Sequence, residues 1–352
     1  MSRPGGFGRA HLVLAVLLVA AVIASTSIGA YSFTPARLVR LLGEAAGWLP
    51  RDPADALDRN VLMQLRLPRV VLAGLTGAVL AVCGTVMQGL FRNPIVEPGL
   101  VGTSSGAALG AACVFVLGVP ASAAGLTPAL FALPLGAFVG GLVATLLTFR
   151  IASAFGRVNV FALLLAGIAV NALCNAGTGV LSYVARDPQA RNIVFWNLGT
   201  FTSANWSSVA LVAAAFALGF AGIAGEARAL NALMLGEDEA ASLGVDPAKL
   251  ARRLLALNTL MVAVATSFVG VIAFVGLVVP HVLRLVRSSN HQFLIPASAL
   301  LGAAFAEVVD LSARLVVPPA ELPVGILTAA VGAPVFLLIL VNASRLERGA
   351  RG

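Results

Sequence analysis

Long apolar runs, separated by short polar stretches, dominate this chain. A membrane-spanning helix needs about 20 mostly apolar residues. Ten runs approach that length: 11–30, 68–90, 99–118, 126–149, 160–184, 206–224, 252–269, 271–286, 294–313 and 322–343. The pair covering 252–286 is the least clean. Gly270 and Gly276 interrupt it, so it reads either as two spans or as one span with a re-entrant piece. The run from His11 follows Arg3 and Arg9. It is long for a signal-peptide core and many spans follow it, so it reads as the first span.

Composition agrees with the pattern. Of the 352 residues, 59% are hydrophobic and 11% charged, against about a quarter charged in soluble domains. Such a chain cannot cover its own surface with polar groups, so lipid must solvate most of it. No linker or charge block divides it, and residues 1–352 read as a single transmembrane domain. The 36 glycines suit close helix packing in a membrane. A net charge of +8 would suggest nucleic acid in a soluble protein; here the arginines sit in short loops and set topology. Cys83, Cys113 and Cys174 lie far apart in apolar runs and read as small buried hydrophobes, not as a disulfide or metal site.

With the N-terminus inside and spans alternating, most basic residues fall in cytoplasmic segments. Of the remainder, Arg37, Arg40, Arg51, Arg59, Arg66 and Arg69 share one outer segment, and the other outer loops are nearly free of positive charge. That is the positive-inside pattern, and an even number of spans puts both termini in the cytoplasm. The long non-membrane stretches are Tyr31–Leu67 and Arg186–Asn205 outside, and Gly225–Leu250 inside.

No phosphate-binding GxxxxGK[ST] loop, HExxH or GxSxG occurs. The histidines are scattered at 11, 281 and 291. The chain therefore reads as a protein without enzyme chemistry or a cofactor of its own, and its energy must come from a partner or an ion gradient. In the inner stretch, Gly236 opens a short helix whose first turn holds Glu237, Asp238 and Glu239, favourable beside the positive end of the helix dipole. Gly244 suits its C-terminal cap, and Leu235, Ala240 and Leu243 make a small apolar face. It reads as a helix that docks on a cytoplasmic partner or as a solvated surface helix.

Several segments together resemble the iron-siderophore, haem and vitamin B12 permeases of the FecCD, or BtuC-like, family. They are Arg66-Leu-Pro-Arg69, the run from Gln88 to Gly102, Ser104 to Ala108, Leu163 to Ala169, Phe195 to Gly199, Gly236 to Val245, Phe274 to His281, Glu321 to Gly325 and Gly332 to Pro334. Each is weak alone; their order and spacing over roughly 60–345 are specific. The resemblance implies an all-α polytopic permease of about ten transmembrane helices, of the type II ABC importer kind. It implies a homodimer in the bacterial inner membrane, with a cytoplasmic ATPase dimer below and a periplasmic substrate-binding protein above.

The resemblance also assigns roles. Residues 236–245, with Gly236, Glu237, Leu243 and Gly244, match the coupling helix. Arg66, Arg69 and Arg314 match positions that meet acids on the binding protein. Anchoring to lipid headgroups is the alternative for Arg66 and Arg69, and pairing with Asp310 the alternative for Arg314. Asn93 and Ile95 match the cytoplasmic gate, in a loop pinned by Pro94 and Pro98 that otherwise reads as a tight turn. Asn171 and Asn175, one helical turn apart, either line the pathway or hydrogen-bond between helices. His281 reads as a structural helix-end residue rather than a haem ligand. Glu307 departs from the family pattern, which has an apolar residue there. With Asp310 it forms an acidic pair that is either functional or hydrated near the outer end. The reading is thus an importer permease for an iron chelate, haem or siderophore. A vitamin B12 permease is the alternative, and an ion-coupled secondary transporter, favoured only by the acidic pair, a more distant one.

Overall fold

The structure is a computed structural model that describes residues 5–29, 31–118, 129–154 and 160–349. Among these the fold is all α-helix with connecting turns. Each of the ten apolar runs corresponds to a helix: α1 (Gly5–Ser27), α4 (Leu67–Leu90), α5 (Thr103–Leu117), α6 (Ala129–Ser153), α7 (Val160–Val184), α9 (Trp206–Gly225), α12 (Pro247–Val269), α13 (Val275–Val286), α14 (His291–Leu315) and α15 (Val324–Gly349). Shorter helices fill the connections: α2 (Pro35–Ala45), α3 (Ala56–Asn60), α8 (Gln189–Asn197), α10 (Ala227–Leu233) and α11 (Glu237–Ser242). Seven helices are long and apolar enough to cross a membrane by length and composition.

The doubtful 252–286 pair resolves into one full span and one short helix. Gly270 ends α12 with φ 77°, and the chain runs without helix to Phe274. The following α13 has 12 residues, about 18 Å at 1.5 Å per residue, so it cannot cross the bilayer alone. His281 therefore lies inside this short helix, not at a helix end.

The centre of the bundle is α4, which is buried along nearly its whole length. It packs most closely on α14 because Gly77 and Gly302 face each other. A Cβ on either would overlap the other's carbonyl oxygen. A second seam joins α5 to α6, where Gly106 and Gly110 meet Gly136 and Gly140; a Cβ on Gly106 would stand 2.5 Å from the Gly140 oxygen. Gly106–Gly110 and Gly136–Gly140 each have the small-xxx-small spacing that lets membrane helices approach backbone to backbone.

At one end, residues 31–66 form a polar cap with a small core of Phe33, Leu38, Leu41 and Leu62. The Thr34 side chain caps α2 by accepting from Arg37 N–H. The cap's arginines are largely neutralised in place. Arg37 pairs with Asp55 and Asp58 at 2.7 Å, Arg40 with Asp52 at 2.8 Å, and Arg59 with Glu44 at 2.7 Å. At the opposite end lie the loop after α4, α10, α11 and the turn between α13 and α14. There Asn231 Nδ2 donates to Asn290 Oδ1 at 2.9 Å, and the His291 backbone N–H donates to Asn231 Oδ1 at 2.8 Å. These bonds pin α10 to the start of α14.

Candidate functional site

Irregular backbone inside a membrane protein is tolerated where it is buried or lines a wet cavity. Two such pieces meet here. One is the loop from Arg92 to Gly102, which enters the bundle between α4 and α5. The other is Gly270–Phe274, the break between α12 and α13. Glu97 joins them: its carboxylate accepts the Phe274 N–H at 2.7 Å. Phe274 holds φ at 68°, an outlying value for a bulky residue, and such strain persists only where neighbours hold it. Gln88 Nε2 donates to Gly276 O at 3.0 Å, and a Cβ on Gly276 would stand 2.7 Å from Pro98 Cδ.

Between the two pieces lies a polar cavity of about 270 Å³. Glu97, Ser104, Ser105, Asn171, Asn175 and Asn197 line it. The two asparagines singled out in the sequence are thus in one place, on α7. Asn171 also bonds between helices: its Nδ2 donates to Leu100 O at 3.1 Å and its Oδ1 accepts from Ser105. Asn171 thus both lines the cavity and bonds between helices. Sequence reasoning missed Glu97 and Asn197, although both stand in segments already singled out; the signal available was a carboxylate between two prolines.

Asn93 and Ile95 form a local turn at the mouth of this loop. Asn93 Oδ1 accepts the Ile95 N–H at 3.0 Å, an Asx turn, and the Ile95 side chain is exposed. Arg92, next to them, reaches Glu237 at the start of α11, N to O 3.9 Å.

The helix anticipated over 236–245 is real but shorter, Glu237–Ser242. Gly236 and Gly244 flank it with φ of 147° and 82°. Its apolar residues do not share one face. Ala240 is fully buried against the bundle, whereas Leu235 and Leu243 are 68% and 65% exposed. Met234 is exposed beside them, so this end presents an uncovered apolar patch next to three acids.

Arg66, Arg69 and Arg314 come together at the other end, where α1, α4 and α14 meet. They point inward. Arg69 Nη2 lies 2.8 Å from Asp310 Oδ1, and its Nη1 lies 2.8 Å from Glu321 Oε2. Arg314 Nε lies 3.1 Å from Asp310 Oδ2, and its Nη2 donates to Ser25 Oγ at 2.7 Å. Arg66 Nη1 donates to Thr26 O at 2.9 Å, and the group stacks on the Phe33 ring at 5.3 Å. A cleft of about 500 Å³, lined by Tyr31, Thr202, Glu321 and the three arginines, opens above them. The acidic pair does not face bulk solvent at the helix end: Glu307 and Asp310 are both fully buried. Asp310 serves two arginines, while among the described residues neither Glu307 oxygen has a hydrogen-bond partner.

Seven helices long and apolar enough to cross a membrane, packed around a cavity bounded by broken backbone, mark a multi-pass membrane protein. Comparison with known proteins supplies the particular family. The FecCD transport family matches residues 17–342, and the chain belongs to it. It is 41% identical over 338 residues to the hemin transport system permease protein HmuU of Yersinia pestis, covering 96% of each chain. It is 39% identical over 312 residues to the vitamin B12 import system permease protein BtuC of Salmonella typhi, covering 88% of this chain and 93% of that one. A solved structure of a metal-chelate type ABC transporter, in an inward-facing conformation, superposes with a TM-score of 0.82 at 32% identity. It covers 95% of this chain and 99% of that one.

Proposed function

We propose that this chain is the permease of an ABC importer that moves haem or a related iron chelate from periplasm to cytoplasm. The observation that carries the reading is the polar cavity between the Arg92–Gly102 loop and the Gly270–Phe274 break, in a chain similar over nearly its full length to a hemin permease. Within this reading the protein is a homodimer in the inner membrane, with both termini cytoplasmic and substrate passing between the subunits past Asn171 and Asn175. The Asn93–Ile95 turn gates the inner mouth. A separate ATPase dimer supplies the energy by docking on α11, whose exposed Leu235 and Leu243 suit a groove on a partner.

A periplasmic binding protein docks over Arg66, Arg69 and Arg314. Because Asp310 and Glu321 already hold Arg69, an incoming carboxylate would act by displacing Glu321, the more exposed of the two acids. Cobalamin is the second reading, favoured by the similarity to vitamin B12 permeases. The test is reconstitution of the chain with its cognate ATPase and binding protein in proteoliposomes, followed by ATP-dependent uptake of haem, a ferric siderophore or cobalamin. Haem or siderophore uptake is expected. Uptake of cobalamin alone would move the assignment to the second reading, and uptake driven by an ion gradient without ATP would end it.

A further inference from the structure

The wall between α6 and α12 carries a groove that the transport reading does not use. Phe138, Leu142, Leu146 and Phe149 line it from α6, and Arg252, Leu255, Ala256 and Leu260 from α12. Two threonines also line it, but their hydroxyls are satisfied within their own helices. Thr145 Oγ1 donates to Gly141 O at 3.0 Å, and Thr259 Oγ1 donates to Leu255 O at 2.8 Å. Apart from Arg252 at one end, the walls therefore offer hydrocarbon and no free polar group, which suits an aliphatic chain rather than a polar solute.

The length and the charge are both informative. From Phe138 to Phe149 the groove follows α6 for about 16 Å at 1.5 Å per residue. One leaflet of hydrocarbon is about 15 Å deep, half of a bilayer core. Arg252 stands at the end of the groove that carries α10 and α11, where the headgroup of that leaflet would lie. Three cations occupy the first turns of α12, and two are already paired. Lys249 lies 3.2 Å from Asp246, and Arg253 pairs with Glu226. Among the described residues Arg252 has no carboxylate partner, and its one contact is a long bond from Nε to Ala248 O at 3.4 Å. Arg150 follows Phe149 at the same end, is exposed, and has no ion pair among the described residues either.

We infer that the α6–α12 groove binds one acyl chain of an anionic phospholipid, with Arg252 holding the phosphate-bearing headgroup. This rests on the chain spanning a bilayer and is independent of the transported substrate. A cation beside an anionic headgroup strengthens binding by about fivefold.

The test uses the full chain in nanodiscs of equal phosphatidylglycerol and phosphatidylethanolamine, extracted and examined by native mass spectrometry. The wild type is expected to retain phosphatidylglycerol over phosphatidylethanolamine. Arg252→Ala should lose that preference about fivefold, while Arg253→Ala, whose cation is paired elsewhere, should keep it. Ala256→Trp fills the groove and should lower retention of both lipids without unfolding the chain, because Ala256 is exposed. Equal retention of the two lipids by the wild type would overturn the inference. So would an Arg252→Ala protein that keeps the preference, or an Ala256→Trp protein that folds and retains lipid normally.

Discussion

Asp310 is the residue on which the arginine cluster of Arg66, Arg69 and Arg314 turns. It is fully buried and accepts from Arg69 and Arg314, so replacing it leaves Arg314 without its carboxylate partner and Arg69 with Glu321 alone. Breaking a buried pair by removing one partner destabilises by about 3–5 kcal/mol. Asp310→Ala should therefore lower the thermal unfolding midpoint in detergent markedly. Glu321 meets the same Arg69 but is more than a third exposed, and such pairs contribute about 0–1 kcal/mol. Glu321→Gln should leave the midpoint nearly unchanged. Equal effects of the two substitutions would mean that the cluster is solvated to the same degree on both sides. The Arg314–Asp310 pair was legible in the sequence as an alternative one helical turn apart, but the pairing of Arg69 with Asp310 and Glu321 was not. Arg69 and Asp310 are 241 residues apart, and an arginine near a helix end has the same signature whether it faces lipid, a partner or a buried acid. What the sequence did offer was the anomaly of two acids in an apolar helix; both are buried, and Asp310 is the one that pairs with two arginines.

Helices were the most legible feature, because lipid leaves the backbone no alternative: ten apolar runs became ten helices at nearly the anticipated positions. The sequence left the 252–286 pair open between two spans and one span with a re-entrant piece, since Gly270 and Gly276 look alike in sequence. In space the first takes a positive φ and the second lets α13 press on Pro98 and Leu80. The α5–α6 seam makes an element-scale prediction. A Cβ on Gly140 would stand 2.9 Å from Gly110 Cα and overlap the Gly106 oxygen, so Gly140→Leu must separate the two helices. Loss of the monodisperse peak in size-exclusion chromatography is expected, and a normal elution profile with normal melting would show that the seam can open. The polar cap over 31–66 makes another, in pH. The Tyr31 hydroxyl and then the Arg37 guanidinium donate to Asp58 and hold its carboxyl below the usual carboxylate range. For Glu44, burial raises the carboxyl, but bonds from Arg40 and Arg59 outweigh it, and the net shift is also downward. Carboxyls depressed in the folded state stabilise it above their unfolded pKa of about 4. That contribution is lost as pH falls through the lower folded values. Hydrogen exchange should show protection of residues 31–60 falling below about pH 4, ahead of the spanning helices. Protection in the cap that outlasts that of α4 on acidification would contradict this.

At the scale of the whole molecule, the structure links the end that carries α10 and α11 to the cavity through a short chain of contacts. The exposed patch at Met234, Leu235 and Leu243 surrounds α11; Glu237 at the start of α11 reaches Arg92; Arg92 adjoins the Asn93–Ile95 turn; and Glu97, further along the same loop, holds the strained backbone at Phe274. Ala240 is fully buried where α11 packs on α10 and α12, and the Asn231–His291 bond fastens α10 to α14, so α11 is held against the bundle. The orientation of Leu235 and Leu243 away from the bundle was not legible from spacing alone, because a six-residue helix is too short for a period to decide which face is covered. Their exposure now sharpens the coupling proposal. If an ATPase buries Leu243, then Leu243→Asp places an unpaired charge in a desolvated contact. A central apolar contact of this kind contributes about 2 kcal/mol or more, so affinity should fall by about thirtyfold. The fold should survive, because the side chain is 65% exposed in the isolated chain. The measurement is co-purification of the ATPase with the variant, beside its melting curve in detergent. Normal melting with the ATPase lost is the expected result. Normal melting with the ATPase retained would make α11 a solvated surface helix, and the route from ATP to the cavity would then have to enter through another part of the inner face.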